Sequence, residues 1–88
     1  MTRDKKVHVN FVAVNRVVGS KTHCWRVYSN AVSPMLLGDV KFRPAWRKYV
    51  FLPAFGTLYD SECLTSISEF CDQQTTLWRT DIRQKAVN

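Results

Sequence analysis

The 88-residue sequence is poor in the residues that active sites usually draw on, with two His, three Cys, three Gly and only seven acidic side chains. The three glycines, Gly19, Gly38 and Gly56, stand far apart and form no Gly-rich loop able to cradle a phosphate. Three cysteines, an odd number, argue against a disulfide framework and fit a reduced, cytoplasmic setting. A zinc set built from His23, Cys24, Cys63 and Cys71 fails on geometry, because neighbouring strand residues point to opposite faces and keep His23 and Cys24 apart. Cys63 and Cys71 fall instead on an apolar helical stripe, where a free thiol behaves as a small hydrophobe. Neither a metal nor a cofactor is expected. A cysteine nucleophile would need a nearby His and an orienting acid. His23 could approach a cysteine, but no nucleophile-bearing turn accompanies it. No catalytic residue is assigned, and a non-enzymatic protein is expected.

Long apolar runs are also missing. None approaches the roughly 18–20 residues that a membrane span requires. The charged N-terminus is not followed by the unbroken apolar segment of a signal peptide. A soluble protein of the cytoplasm, with no membrane partner, is the expectation.

What is present is positive charge, and it is unevenly spread. Residues 1–48 carry ten Lys and Arg against Asp4 and Asp39, a net +8, whereas residues 49–88 carry three against five acids, a net −2. A basic half of this kind attracts polyanions or acidic protein surfaces.

Hydrophobic periodicity divides the chain into five elements within a single domain, residues 1–88. Val7, Val9, Phe11 and Ala13 alternate with His8, Asn10, Val12 and Val14, which predicts a strand over about 6–17. After the Gly19-Ser20 turn signal a second strand is expected over about 21–29, with His23, Trp25 and Val27 on one face and Cys24, Arg26 and Tyr28 on the other. Asn30, Ser33 and Pro34 mark a loop. A third strand, about 36–43, sets Val40 and Phe42 against Asp39, Lys41 and Arg43. Pro44 interrupts, and a fourth strand over about 46–52 ends before Pro53. The helix over about 61–79 has Asp60 as its N-cap, with Tyr59 and Leu64 in the positions of a hydrophobic staple. Its apolar stripe is Cys63, Leu64, Ile67, Phe70, Cys71, Leu77 and Trp78. Gln74 and Thr75-Thr76 weaken that stripe and suggest a bend or fraying. Residues 1–4 and 84–88 are expected to be disordered. Four strands followed by a helix specify an α+β fold of ββββα type: an antiparallel four-stranded meander with one face covered by the amphipathic C-terminal helix.

This arrangement leaves Arg26, Tyr28, Lys41, Arg43 and Lys48 able to share the sheet face away from the helix. Arginine and lysine neutralise phosphates, and an exposed aromatic stacks on unpaired bases. The competing reading is a solvated charged face with the aromatics in the core. Strand register decides between the faces, since a slip of one residue turns every side chain over. An unpaired sheet edge would also allow a homodimer. The letters Trp46-Arg47-Lys48-Tyr49 match the signature of plant WRKY zinc domains. That family continues with Gly-Gln-Lys and a Cys/Cys/His/His set, whereas Val50-Phe51-Leu52 follows here and both histidines lie upstream. The match is coincidental.

The ordered segments WRVYSN, LLGDVKF, WRKYVFLP and CLTSISEFC, from Trp25 to about Cys71, resemble a family of small phage- and prophage-encoded proteins. The likeness covers about half of the chain and omits its first 20 residues. It implies a phage-encoded protein acting in the host cytoplasm and carries no activity with it. Among the shared positions Trp46, Tyr49, Phe51 and Phe70 look like core, and Arg47 is the charged residue open to a functional role. Two functions follow. One is association with DNA or RNA through Arg26, Lys41, Arg43, Arg47 and Lys48, helped by Tyr28. The other is a protein-interaction module that inhibits or redirects a host protein, for example as an anti-defence or anti-CRISPR inhibitor.

Overall fold

A computed structural model describes residues 9–14 and 22–87, with side chains described as far as Asp81. Strands β1 (Val9–Val14), β2 (Cys24–Ser29), β3 (Leu36–Arg43) and β4 (Lys48–Pro53) precede helix α1 (Ser61–Val87). The strands form one antiparallel sheet in the order β1-β2-β3-β4, so the ββββα meander expected from periodicity is the observed fold. The outer parts of the first expected strand, 6–8 and 15–17, and the N-terminal residues 1–4 lie outside the described residues.

Register sorts the side chains by face. Phe11 pairs with Val27, Val27 with Gly38 and Gly38 with Pro53, while Ala13, Trp25, Val40 and Phe51 form the next row on the same side. Of these, Phe11, Trp25, Val27, Val40 and Phe51, with Phe42 and Tyr49, make the face that meets α1. Among the described residues the enclosed core is small: Val9, Val27, Leu37, Val40, Tyr49 and Ile67 are buried. Around them lies a layer of half-buried aromatic rings joining sheet to helix. Phe11 stacks on Phe70 with centroids 3.9 Å apart, and Trp25 meets Phe70 edge-on at 4.9 Å. Phe42 contacts Tyr49 at 5.3 Å and Trp78 at 4.6 Å. Such ring pairs contribute about 0.5–1.5 kcal/mol each beyond the area they bury, which helps a domain with so few enclosed aliphatics.

A β-bulge departs from simple alternation. Val27 pairs with Gly38 but Tyr28 pairs with Leu36, leaving Leu37 as an extra residue on β3. Leu37 turns into the core, although strict period-2 counting places it with Asp39 and Lys41. Its carbonyl is satisfied twice, accepting from the Ala54 amide at 2.8 Å and from the Tyr59 hydroxyl at 2.6 Å.

The helix starts where the capping residue dictates. The Asp60 carboxylate accepts from the Cys63 amide at 2.8 Å. At the two staple positions Leu64 is half exposed and the Tyr59 ring packs edge-on against Phe51. The stripe facing the sheet is Cys63, Ile67, Phe70, Cys71 and Trp78, with Thr75 buried among them; Leu64 and Leu77 lie at its exposed margins. Thr75 causes no break, because its hydroxyl donates back to the Cys71 carbonyl at 2.8 Å. It also accepts from the Tyr49 amide at 2.9 Å, so the helix caps the free edge of β4 at that point. The helix continues to Val87, well past the expected end at residue 79 and into a terminus expected to be disordered. At about 1.5 Å per residue its 27 residues run about 40 Å, roughly twice the length of a six-residue strand.

Candidate nucleic-acid interface

The turn between β3 and β4 organises the candidate site. Trp46 and Arg47 were expected to begin the fourth strand, but both belong to the turn, and β4 starts at Lys48. The Arg43 carbonyl accepts from the amides of Trp46 at 3.1 Å and Arg47 at 2.9 Å, winding residues 44–47 into a tight helical turn. Pro44 suits the first corner position, since its ring holds φ near the value required there. Arg47 reverses the chain with φ of 55°, in the left-handed region that few non-glycine residues occupy. Two contacts to α1 hold it. Its guanidinium lies 5.3 Å from the Trp78 ring centroid, and its carbonyl accepts from Arg79 Nη2 at 3.5 Å.

Trp46 is therefore not a core residue. It projects from the turn, 59% exposed, with the Arg43 guanidinium 4.6 Å from its ring centroid. Trp25, Phe42, Tyr49 and Phe51, by contrast, pack between sheet and helix.

Register brings the remaining candidates together on the face away from α1. Cys24 pairs with Lys41 and Lys41 with Val50; Arg26 pairs with Asp39; Arg43 pairs with Lys48; Tyr28 pairs with Leu36. Arg26, Tyr28, Lys41, Arg43 and Lys48 thus share one side of the sheet. They are not equivalent. Lys41, Arg43 and Lys48 gather at the β3–β4 end, where Arg47 and Arg79 add charge from the helix side. Arg26 lies further along the sheet, directly across from Asp39, which offsets its charge. Tyr28 is half buried at the opposite end of the sheet. Trp46, Trp78 and Arg79 join this constellation, although no sequence pattern assigned them to it. A signal for Trp46 was present, because Pro44 followed by three residues before Lys48 fits a hairpin turn better than a strand. Nothing local marks Arg79, whose position at the turn depends on helix docking.

The far end of the sheet has a different surface. The β2–β3 loop and the β4–α1 connection both leave from it, and the loop is closed by the Ser29 amide on the Met35 carbonyl and the Met35 amide on Ser29 Oγ, each 2.9 Å. Here Val32, Met35, Leu36, Leu52, Phe55 and Leu58 are exposed, Val32 and Phe55 completely.

Burial pushes the Cys71 thiol up to about 11, with the Asp72 charge adding to the effect. Cys63 is raised in the same sense, chiefly by burial and then by Asp60. Both thiols are protonated at neutral pH, a form that neither attacks nor ligates well. Among the described residues no three His, Cys, Asp or Glu side chains gather as a metal site, and no helix is long and apolar enough to cross a membrane. No protein-family model, curated protein or solved structure matches the chain.

Proposed function

We propose that this is a non-enzymatic binding protein that associates with nucleic acid through the basic β3–β4 end and the adjoining open face of the sheet. The observation that carries the reading is the convergence of Lys41, Arg43 and Lys48 on one face with Arg47 and Arg79 at the same turn. Four cations on a short, well-anchored hairpin, with Arg79 beside them on the helix, match a phosphate backbone, whose neutralisation releases counterions and makes affinity fall steeply with salt. The resemblance to phage proteins supports a role as a phage-encoded accessory factor in the host cytoplasm. Titration of labelled DNA and RNA at rising salt tests the reading. Binding that weakens linearly in log affinity against log salt is expected, and absence of binding at low salt would end it.

A second reading is favoured by the apolar end. Six apolar side chains are exposed at that end of the sheet, and apolar side chains gathered into one patch mark a protein-interaction surface. In this reading the protein inhibits or redirects a host protein, an anti-defence role being one form of it. Affinity capture from host lysate separates the two: a stable protein complex that survives nuclease treatment supports interaction, and partners released by nuclease treatment support nucleic acid.

A further inference from the structure

We infer that the β3–β4 turn prefers single-stranded over duplex nucleic acid, with Trp46 stacking on an unpaired base. The inference rests on the nucleic-acid reading above. Trp46 is the tryptophan that the aromatic layer leaves out: Trp25 and Trp78 pack between sheet and helix, whereas Trp46 stands at the apex of a turn, 59% exposed. The turn around it is not loose. Two amides converge on the Arg43 carbonyl, Pro44 fixes one corner, and Arg47 is tied to Trp78 and Arg79. An exposed indole on an anchored turn loses little freedom when a base settles on it. Arg43 lies against the ring at 4.6 Å while the indole stays 59% exposed, which leaves ring surface for a base and a cation beside it for the phosphate of the stacked nucleotide. Lys41 precedes Arg43 by two residues on the same face of β3, a rise of about 6.8 Å, comparable to the spacing of successive phosphates in an extended strand. Bases within a duplex are stacked on each other and present no free ring face, so Trp46 would have nothing to stack on there.

The test uses the full chain with oligo-dT and a duplex of equal length, read by tryptophan fluorescence and by anisotropy of the labelled nucleic acid at low salt. Tighter binding of oligo-dT with quenching of emission is expected. Trp46→Ala should weaken oligo-dT binding about tenfold, abolish most of the quenching and leave duplex affinity and the salt slope unchanged. Trp46→Phe should keep most of the affinity. Thermal melts of both variants should match the parent, because the side chain lies outside the core. Equal affinity for the two nucleic acids with no effect of Trp46→Ala overturns the stacking inference and leaves the basic surface standing. Poly-glutamate competing as well as oligo-dT overturns it in favour of an acidic protein partner. Failure to bind either nucleic acid removes the underlying reading together with the inference.

Discussion

Gly38 occupies a point on β3 where the neighbouring strand comes unusually close. A Cβ built there would collide with the Leu52 carbonyl oxygen and lie 2.7 and 2.9 Å from two carbons of the Phe51 ring. Relief requires the β4 backbone to shift as well as a side chain, so Gly38→Ala should destabilise the fold by about 1–3 kcal/mol in urea denaturation. Thr75 is the other decisive single residue. It is buried, and so is Tyr49, whose amide donates to it. Thr75→Val keeps the shape and strands that amide, with an expected loss of about 1–3 kcal/mol and faster hydrogen exchange at Tyr49; Thr75→Ser should recover much of both. Cys71 gives a pH signature. Its thiol is raised from an ordinary 9.0 to about 11, so on raising the pH the unfolded chain loses the proton first. Its contribution to stability is therefore constant below about pH 9 and falls as the pH rises towards 11. The stability difference between the parent and Cys71→Ala, measured across that window, should show this slope and be flat below it.

The β3–β4 hairpin concentrates the charge that the strands distribute. Reversing Lys41 and Lys48 together, as K41E/K48E, removes two outward cations without touching the aromatic layer. The expected result is a melting temperature close to the parent's and a shallower log–log salt dependence of nucleic-acid binding. The slope should fall by about 0.7–0.9 for each phosphate that is no longer neutralised. The same change at Arg26 should matter less, because Asp39 stands opposite it. Much of this element was legible beforehand. Alternation in β2 and β3 set Arg26 and Tyr28 on one face and Trp25 and Val27 on the other, and the observed pairing keeps that division. The turn was less legible, because a Trp-Arg pair beside an apolar strand reads as its beginning. Only the converging hydrogen bonds on the Arg43 carbonyl and the left-handed Arg47 take both residues out of it.

Among the described residues the surface chemistry is polarised. Cations crowd the β3–β4 end, exposed apolar side chains surround the opposite end, and Glu62, Glu69 and Asp72 are exposed along the helix. A polyanion would therefore be drawn to the hairpin and the open sheet face and repelled from the back of the helix. The apolar end makes a separable prediction. Phe55 and Leu58 are 104% and 91% exposed, so they contribute nothing to the core. Phe55→Ser with Leu58→Ser should change stability by no more than about 0.5 kcal/mol, while abolishing capture of any partner protein that docks there. Nucleic-acid affinity should be unaffected, which keeps the two proposed surfaces experimentally distinct.

Local pattern determined the elements of this protein. Period-2 runs, prolines at strand ends, an Asp60 cap and a 3.6-residue apolar stripe together specify ββββα, because each acts within a few residues of chain. The same logic put Val40, Phe42, Tyr49 and Phe51 inside. What no local pattern carries is how the elements meet. The bulge that turns Leu37 inward depends on pairing between β2 and β3, and the burial of Thr75 depends on where the helix crosses β4. Arg79 reaches the β3–β4 turn only because docking of α1 brings residues 32 positions apart together. The charge excess of the first half was visible in the sequence. The gathering of Lys41, Arg43, Arg47 and Lys48 at one end of the sheet, with Trp46 exposed beside them, was a decision of the tertiary structure, since strand register and helix placement choose which side chains become neighbours.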